Sequence, residues 1–440
     1  MKILIVNLQY RTRKESSVSI PLAIYHIAAI LERNSHDIEI FDPLFHFGNS
    51  DLVLKSKLSR VDIIIFSANS FSWNCVLDMM KHLRASNFTG KIVIGGVHPS
   101  VAYNYILNNY SNFVDYVVVG EAESSLPLLI ESIQKGDLPC DVPGVAYLDN
   151  AGVINVNPTI LCDLSNSDIV PLYNRVPENF FESITFETSR GCKSNCKFCS
   201  IIYKNCWRSY NRDFNDYKMG KLLDIMSERK LSLRKHILFT DDCFTTDTMR
   251  ASDLLNLYAD KYQLNEFSIL IEARAIDLIS SPTLISSIQR YPKISIQIGI
   301  ESGYDEGFAR INKPVRFHLL IELCELLKKK NLTENAFLSF IIGFPFENAD
   351  GCERTIQTMK MIKEKYGVVS SPSWWMPMPS MVYNSLMEAN PKIDYSIFDK
   401  EDWVTNEDFF YLTHPLIQQE SRMRLNEELS KITMLLKPLL

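Results

Sequence analysis

Two series of short β-branched runs, each run followed by a stretch with helical spacing, constrain this chain more than anything else in it. In the first series Ile3–Leu8, Ile38–Phe41, Ile63–Phe66, Ile92–Ile94 and Val114–Val119 alternate with segments such as Pro21–Arg33 and Val76–Leu83. Successive βα units predict a parallel, doubly wound sheet, because parallel neighbours can be joined only by a crossover. The second series is Ile184–Glu187, Ile237–Phe239, Phe267–Ile271, Ile294–Ile300, Leu338–Ile342 and Ser373–Met376, interleaved with Tyr217–Arg229, Met249–Tyr262, Leu284–Arg290 and Leu319–Lys330. Six further units predict a second α/β domain, a barrel or partial barrel with its chemistry at the carboxyl ends of the strands. Between the series, Pro139, Pro143, Pro158, Pro171 and Pro177 break the pattern, and Val145–Leu148 and Val153–Val156 flank the turn residues Asp149-Asn150-Ala151-Gly152. That segment reads as a linker carrying a β-hairpin. The expected organisation is a doubly wound domain over 1–135, a linker over 136–180, a partial (β/α)6 barrel over 181–380 and a helical cap over 381–440, with a terminal helix at Glu420–Lys437.

Composition fits this architecture and removes several partners. With 440 residues the chain has room for two or three domains. Its 46 Lys and Arg against 52 Asp and Glu give a net charge of −6, so no basic field points to nucleic acid or to an anionic membrane. No apolar run reaches the roughly 18 residues of a spanning helix, and Met1–Val6 is too short for the core of a signal peptide. The chain reads as cytoplasmic, where thiols stay reduced. Its ten cysteines are then free for metal or catalysis, and three of them fall within eight residues.

In doubly wound sheets ligands sit beyond the carboxyl ends of the strands. Here those positions are Gln9 to Lys14, Ser67-Ala68-Asn69, Gly95-Gly96-Val97-His98 and Gly120-Glu121. No G-x-G-x-x-G follows the first strand and no Walker A lysine loop is present, which weakens nucleotide readings. A phosphoacceptor domain would want acids where Asn7, Gln9, Ser67 and Asn69 stand. A broad, hydroxyl-lined crevice remains, in which Gly95-Gly96 admits close approach and Ser67, Asn69 and Ser70 offer uncharged hydrogen bonds. Ordinary strand ends, punctuated by Gly and Ser, account for the same residues without a ligand.

The first strand of the second series runs into Ser189-Arg190-Gly191-Cys192-Lys193-Ser194-Asn195-Cys196-Lys197-Phe198-Cys199. Thiolates at C-x3-C-x2-C spacing select zinc or an iron–sulfur cluster. Three on one loop leave one metal corner open, as catalysis requires; a structural zinc site completed by Cys206 or by a distant His is the alternative. This loop, with Phe198 before the last cysteine, resembles that of the radical S-adenosylmethionine (SAM) superfamily. The resemblance implies a [4Fe–4S] cluster on Cys192, Cys196 and Cys199, whose fourth iron is chelated by SAM, and reductive cleavage of SAM to methionine and a 5′-deoxyadenosyl radical.

The upstream domain, with Gly-Gly-Val-His-Pro-Ser at 95–100 and Val-Gly-Glu-Ala-Glu-Ser at 119–124, looks like that of the cobalamin-binding class of these enzymes. The resemblance covers residues 1 to about 380 and implies cobalamin contacts from Ser67, Asn69, Gly95, Gly96, His98, Gly120 and Glu121. No D-x-H-x-x-G follows the first strand, which implies that no lower axial histidine holds the cobalt. For His98, a turn histidine before Pro99 is the plainer reading. For SAM the resemblance implies contacts from Phe198, Asp241, Arg274, Glu301 and Gly343. Against these stand helix capping by Asp242 or Thr245 and a salt bridge from Arg274 to Glu272 or Asp277. Gly343-Phe344-Pro345-Phe346-Glu347 resembles the family's G-x-P-x-E segment, with Phe346 where the consensus has glycine. Trp374 or Trp375 is a candidate to face substrate, although core packing is the commoner fate of such residues.

The implied activity is methylation of an unactivated carbon, in which methylcobalamin and the 5′-deoxyadenosyl radical act on a natural-product, peptide, lipid or tetrapyrrole substrate. Cyclisation or ring rearrangement is the alternative within the class, and a non-catalytic cobalamin-binding or electron-transfer protein the alternative outside it. The implied electron donor is a low-potential protein such as flavodoxin or ferredoxin.

Overall fold

The computed structural model describes residues 1–8, 19–43, 54, 57–58, 60–177, 183–229 and 236–433. Gln9 to Lys14 and the last residues of the expected terminal helix lie outside the described residues. The chain divides into two units, one formed by 1–181 with 225–231 and 394–403, the other by 182–224, 232–393 and 404–440.

In the first unit, β1 (Lys2–Val6), β2 (Asp37–Phe41), β3 (Ile63–Ser67), β4 (Lys91–Gly95) and β5 (Tyr116–Val118) are all parallel, in the order β2-β1-β3-β4-β5. The strands read as nearly continuous apolar runs because helices cover both faces: Ile3, Leu4 and Ile5 are all fully buried. On one face Ile3, Ile5, Ile63, Ile65 and Val93 pack with Ile24, Ala28 and Leu31 of the helix Leu22–Arg33 and with Leu126, Leu129 and Ile130 of the helix Ala122–Lys135. The order reverses between β1 and β3, which places the topological switch point there.

The hairpin expected in the linker instead extends this sheet. β6 (Val145–Leu148) pairs antiparallel with β5, placing Tyr147 opposite Tyr116, and β7 (Ile154–Val156) pairs with β6 to complete seven strands. An uncovered β5 edge would leave a row of backbone groups unpaired, and β6 satisfies it while burying Val145 and Ala146.

Part of the expected C-terminal cap also belongs to the first unit. The short 3₁₀ segment Tyr395–Asp399 brings the Asp399 carboxylate to three donors, the Trp73 indole at 2.7 Å and the Tyr105 and Tyr110 hydroxyls, each at 2.5 Å. Phe398 and Trp403 are buried beside it.

The second unit holds β8 (Ile184–Phe186), a short antiparallel pair β9 (Ser189–Arg190) and β10 (Arg208–Ser209), then β11 (His236–Phe239), β12 (Ser268–Ala273), β13 (Ile294–Glu301), β14 (Ala336–Ile342) and β15 (Val369–Trp374). Six of these strands form one parallel sheet in sequence order, β8-β11-β12-β13-β14-β15. Every crossover steps to the next strand in the same direction, the connectivity of a partial barrel rather than of a doubly wound sheet. Crossover helices start on side-chain caps: Asp247 accepts the Arg250 amide, Ser281 that of Leu284 and Asn348 that of Gly351. β15 begins four residues earlier than its apolar pattern suggests, because Ser370-Ser371-Pro372 hides it. A proline is tolerated there since β15 is an edge strand. The last helix, Gln419–Thr433, buries Leu425, Leu429 and Ile432. Among the described residues, no helix is long and apolar enough to cross a membrane.

Candidate active site

The cysteine loop is folded by backbone requirements before any cofactor enters. Gly191 has φ +86°, and a Cβ there would lie 2.2 Å from the Cys206 carbonyl oxygen, so only glycine lets the loop close on its return segment. The Cys192 amide donates to the Tyr203 carbonyl at 3.3 Å. The sulfurs accept backbone donors in turn, Cys192 from Ser194 at 3.4 Å and Cys199 from Ile201 at 3.5 Å. All three thiols line a cavity of about 200 Å³, together with Phe198 from the same loop and residues just past the ends of β11, β12 and β13. Cys206 is not part of that lining, but Cys243 is.

Burial raises Cys196, and raises Cys199 to about 11, whereas a hydrogen bond from Cys243 lowers Cys192 to about 5. Among the described residues no three His, Cys, Asp or Glu side chains meet at a point to hold a single ion. A four-iron cluster takes each thiolate at a separate iron, and a soft, all-sulfur set suits it. The residues present therefore fit such a cluster.

Of the residues expected around SAM, three face the cavity and two do not. Phe198 lines it and packs edge-on against Phe344, ring centres 5.9 Å apart. Arg274 lines it too, but its fork is held by Asp277 at 2.8 and 2.6 Å, with one nitrogen 3.4 Å from Ser194 Oγ. The Asp277 salt bridge and the cavity position thus coexist. Glu301 stands at a register shift between β13 and β14 with φ +74°, a conformation that strains a non-glycine residue. Its carboxylate meets Lys313 at 3.2 Å. A Cβ on Gly299 would come within 2.4 Å of that carboxylate and 3.0 Å of Lys313 Nζ, which explains the glycine beneath it.

Asp241 turns away from the cavity. Its carboxylate is fully buried and accepts the Thr188 amide at 2.9 Å, the Thr188 hydroxyl at 2.5 Å and the Ser189 hydroxyl, with Arg250 3.6 Å away. It ties β11 to the start of the cysteine loop. The neighbouring Asp242 faces the cavity instead, accepting the Gly191 amide at 2.7 Å, and burial raises it to about 6. Gly343, at φ +76°, lies under the Trp374 ring, where a Cβ would approach to 2.4 Å, and is not in the cavity wall. Glu347 of the same segment accepts the Tyr304 hydroxyl at 2.7 Å and the Phe344 amide at 3.1 Å. Trp375 is 3% exposed, and Trp374 donates to Asn426 at 2.7 Å, so packing accounts for both.

Sequence reasoning missed several members of the wall: Cys243, Gln297 and Lys313, and Glu272 as a wall residue in its own right. Enclosure, then the carboxylates of Asp242 and Glu301, raise Glu272 to about 7. Glu272 had a signal, since it precedes Arg274 at a strand end; Lys313 lies in a loop with none.

In the first unit, Ser67, Gly95 and Gly120 stand together at the carboxyl edge of the sheet, with short side chains that leave room over it. A Cβ on Gly95 would meet nothing nearer than Val118 at 3.5 Å. Gly96 is required for a different reason: at φ +101° its Cβ would sit 2.5 Å from the Ala68 carbonyl oxygen. Asn69 caps the following turn, accepting from Phe71 at 2.9 Å and Ser72 at 3.0 Å, and Glu121 accepts the Cys162 amide. His98 is fully buried, with Nδ1 3.0 Å from Ser70 Oγ, its ring stacked on Trp73 at 5.1 Å and edge-on to Phe398 at 5.1 Å. An enclosed ring of this kind is packed rather than presented, while the open, uncharged strand ends fit a bulky neutral ligand such as a corrinoid.

The comparisons match this division. Residues 186–359 match the radical SAM superfamily model and residues 13–130 the B12 binding domain model. The chain is 26% identical over 366 residues to the uncharacterized methyltransferase PH0819 of Pyrococcus horikoshii, covering 79% of this chain and 74% of that protein. It is 24% identical over 324 residues to the hopanoid C-3 methylase of Methylococcus capsulatus, covering 71% and 59%. The cobalamin-dependent SAM radical enzyme OxsB, solved with aqua-cobalamin and SAM bound, shares the fold at a TM-score of 0.68 and 18% identity, over 98% of this chain and 61% of its own. The chain thus spans about three fifths of the last two proteins. This chain thus joins a B12 binding domain and a radical SAM domain in one polypeptide, and the cofactors that go with these domains are cobalamin, SAM and a [4Fe–4S] cluster.

Proposed function

We propose that this enzyme is a C-methyltransferase acting on an unactivated carbon of a natural-product, peptide, lipid or tetrapyrrole substrate. The observation that carries the reading is the open cavity at the barrel strand ends, walled by three loop thiols and by carboxylates, in a chain that also holds a B12 domain. When bound, the cluster and SAM supply a 5′-deoxyadenosyl radical, and cobalamin supplies the methyl group.

In this reading Cys192, Cys196 and Cys199 hold the cluster. Asp242, Glu272 and Glu301 give the cavity a negative lining suited to the sulfonium and ammonium of SAM, and Lys313 keeps Glu301 in place. Arg274 offers its remaining nitrogen to the SAM carboxylate, and Phe198 shields the cavity from water. Ser67, Asn69, Gly95, Gly96, Gly120 and Glu121 form or support the edge that receives cobalamin. Residues 1–135 serve as the cobalamin domain, 181–380 as the SAM barrel, and a cytoplasmic flavodoxin or ferredoxin supplies electrons.

The test is anaerobic reconstitution with iron, sulfide, SAM, hydroxocobalamin and a reductant. We expect 5′-deoxyadenosine from the native chain and none from the Cys192→Ala, Cys196→Ala, Cys199→Ala triple variant; turnover by the triple variant sinks the site assignment. With methyl-labelled SAM and a true substrate, label in the product together with S-adenosylhomocysteine supports methylation. Product formed with 5′-deoxyadenosine but no label would mean cyclisation or rearrangement.

A further inference from the structure

Phe346 stands where the family's G-x-P-x-E segment has glycine, and its side chain takes no part in the cavity wall. It builds a series of rings instead. The Phe346 ring lies parallel to Phe344, 5.5 Å away with 3° between the planes, and Phe344 meets Phe198 edge-on at 5.9 Å. These are the spacings of directly packed rings. Phe198 immediately precedes Cys199, Phe344 is 1% exposed and Phe346 is half-buried, so the series leads from the cysteine loop to the surface. At the surface end the exposed Arg310 guanidinium covers it, 5.0 Å over the Phe346 ring.

The same surface carries a second cation. Lys197 is exposed in the turn between Cys196 and Phe198. That turn is pinned to the residues after Arg310: the Lys197 amide donates to the Ile311 carbonyl at 2.9 Å, and Asn312 Nδ2 donates to the Asn195 carbonyl at 2.8 Å. Lys197 and Arg310 therefore belong to one patch. Among the described residues neither pairs with a carboxylate. The acids on the helix that ends in Arg310 are engaged elsewhere, Glu306 with Arg354 at 2.9 Å and Asp305 with the Phe317 amide at 2.9 Å. In a chain of net charge −6, two unneutralised cations around an aromatic ring beside the cysteine loop suit an anionic partner. Such a patch is small, and small interfaces serve the transient encounters of electron transfer.

We propose that the face formed by Lys197, Arg310 and Phe346 receives a small acidic protein that carries single electrons, and that this is where electrons enter the enzyme. The Phe346, Phe344 and Phe198 rings fill the space between that face and the loop. Each encounter passes one electron: the carrier is oxidised and the cluster reduced by one equivalent, and no bond of this chain is made or broken. The proposal rests on the reading of the loop thiols as cluster ligands.

The test uses the anaerobically reconstituted full-length chain and an acidic flavodoxin as probe, at low ionic strength. Binding of the oxidised flavodoxin is measured by calorimetry, and cluster reduction by the reduced flavodoxin is followed in a stopped-flow instrument, with iron and sulfide determined on each sample. The double variant Lys197→Glu, Arg310→Glu is expected to weaken binding and slow reduction by about tenfold or more, a difference that closes as salt is raised. Its iron and sulfide content, and its reduction by photoreduced 5-deazariboflavin, an uncharged donor, are expected to stay native. Lys329→Glu, at the end of the helix Phe317–Lys329 and away from the patch, is expected to stay within about twofold of native. Lys197→Gln with Arg310→Gln replaces the reversals should these fail to hold a cluster. Native binding and reduction in the patch variants overturn the proposal, as does an equal loss in Lys329→Glu, which would make the effect one of overall charge. A loaded native chain that flavodoxin neither binds nor reduces overturns it as well. If the native chain takes up no cluster, the reading of the loop fails, while the binding measurement still reports on the face.

Discussion

Adjacent carboxylates with the same chemistry do opposite work in this chain, and only their surroundings separate them. Asp241 is buried among the donors Thr188, Ser189 and Arg250, whereas Asp242 reaches the cavity. Removing a buried carboxylate strands the Arg250 charge, so Asp241→Ala should cost about 3–5 kcal/mol in a denaturant titration. Asp242→Asn should leave stability within about 1 kcal/mol and act on SAM affinity instead. His98 carries a pH-dependent expectation. Burial pushes it from 6.5 down to about 3, so the folded chain refuses a proton that the unfolded chain accepts. Its contribution is whole above pH 6.5 and is lost as pH falls towards 3, by about 2 kcal/mol on reaching pH 5. His98→Gln should flatten the fall of the urea midpoint across that window; an unchanged slope would refute the assignment. The thiol triad of Cys192, Cys196 and Cys199 on one loop was legible at this scale from spacing alone. The choice between Asp241 and Asp242 was not, because two successive residues at a strand end point to opposite sides and only the packed neighbours say which side is the cavity.

At the scale of elements, the glycines at the strand ends separate into those that make room and those that prevent a collision. Gly96 prevents one: the Ala68 backbone is a β3 terminus held by its own ladder and cannot withdraw. Gly96→Ala should therefore cost roughly 2–3 kcal/mol from strain and overpacking, read as a lowered thermal midpoint, while Gly95→Ala, with ordinary contacts, should cost less than about 1 kcal/mol. Comparable losses at both positions would contradict this account. Strand existence and order of type were readable from β-branched runs, and helix positions from 3.6-residue spacing. Two elements were less so. β15 was misplaced because serine and proline at an edge strand erase the apolar signal, and the hairpin was taken as a linker because nothing local shows that its partner is the β5 edge.

At the scale of the molecule, each cofactor is expected to answer to its own unit. The triple cysteine variant should lose its iron yet bind hydroxocobalamin with native affinity, as followed by the corrinoid absorption bands; loss of both would show that the B12 domain depends on the cluster. The sequence by itself determined the two α/β series, the thiolate triad on one loop and the absence of a nucleotide fingerprint, since each of these is carried by neighbours within a few tens of residues. Tertiary structure alone decided that Cys243 and Lys313 join the cavity, that Asp242 rather than Asp241 faces it, and that residues 394–403 bring Asp399 to Trp73, Tyr105 and Tyr110. Those groupings join residues far apart in the chain, and a side chain at a strand end or in a loop acquires its partners only when the crossovers have brought the other strand ends beside it.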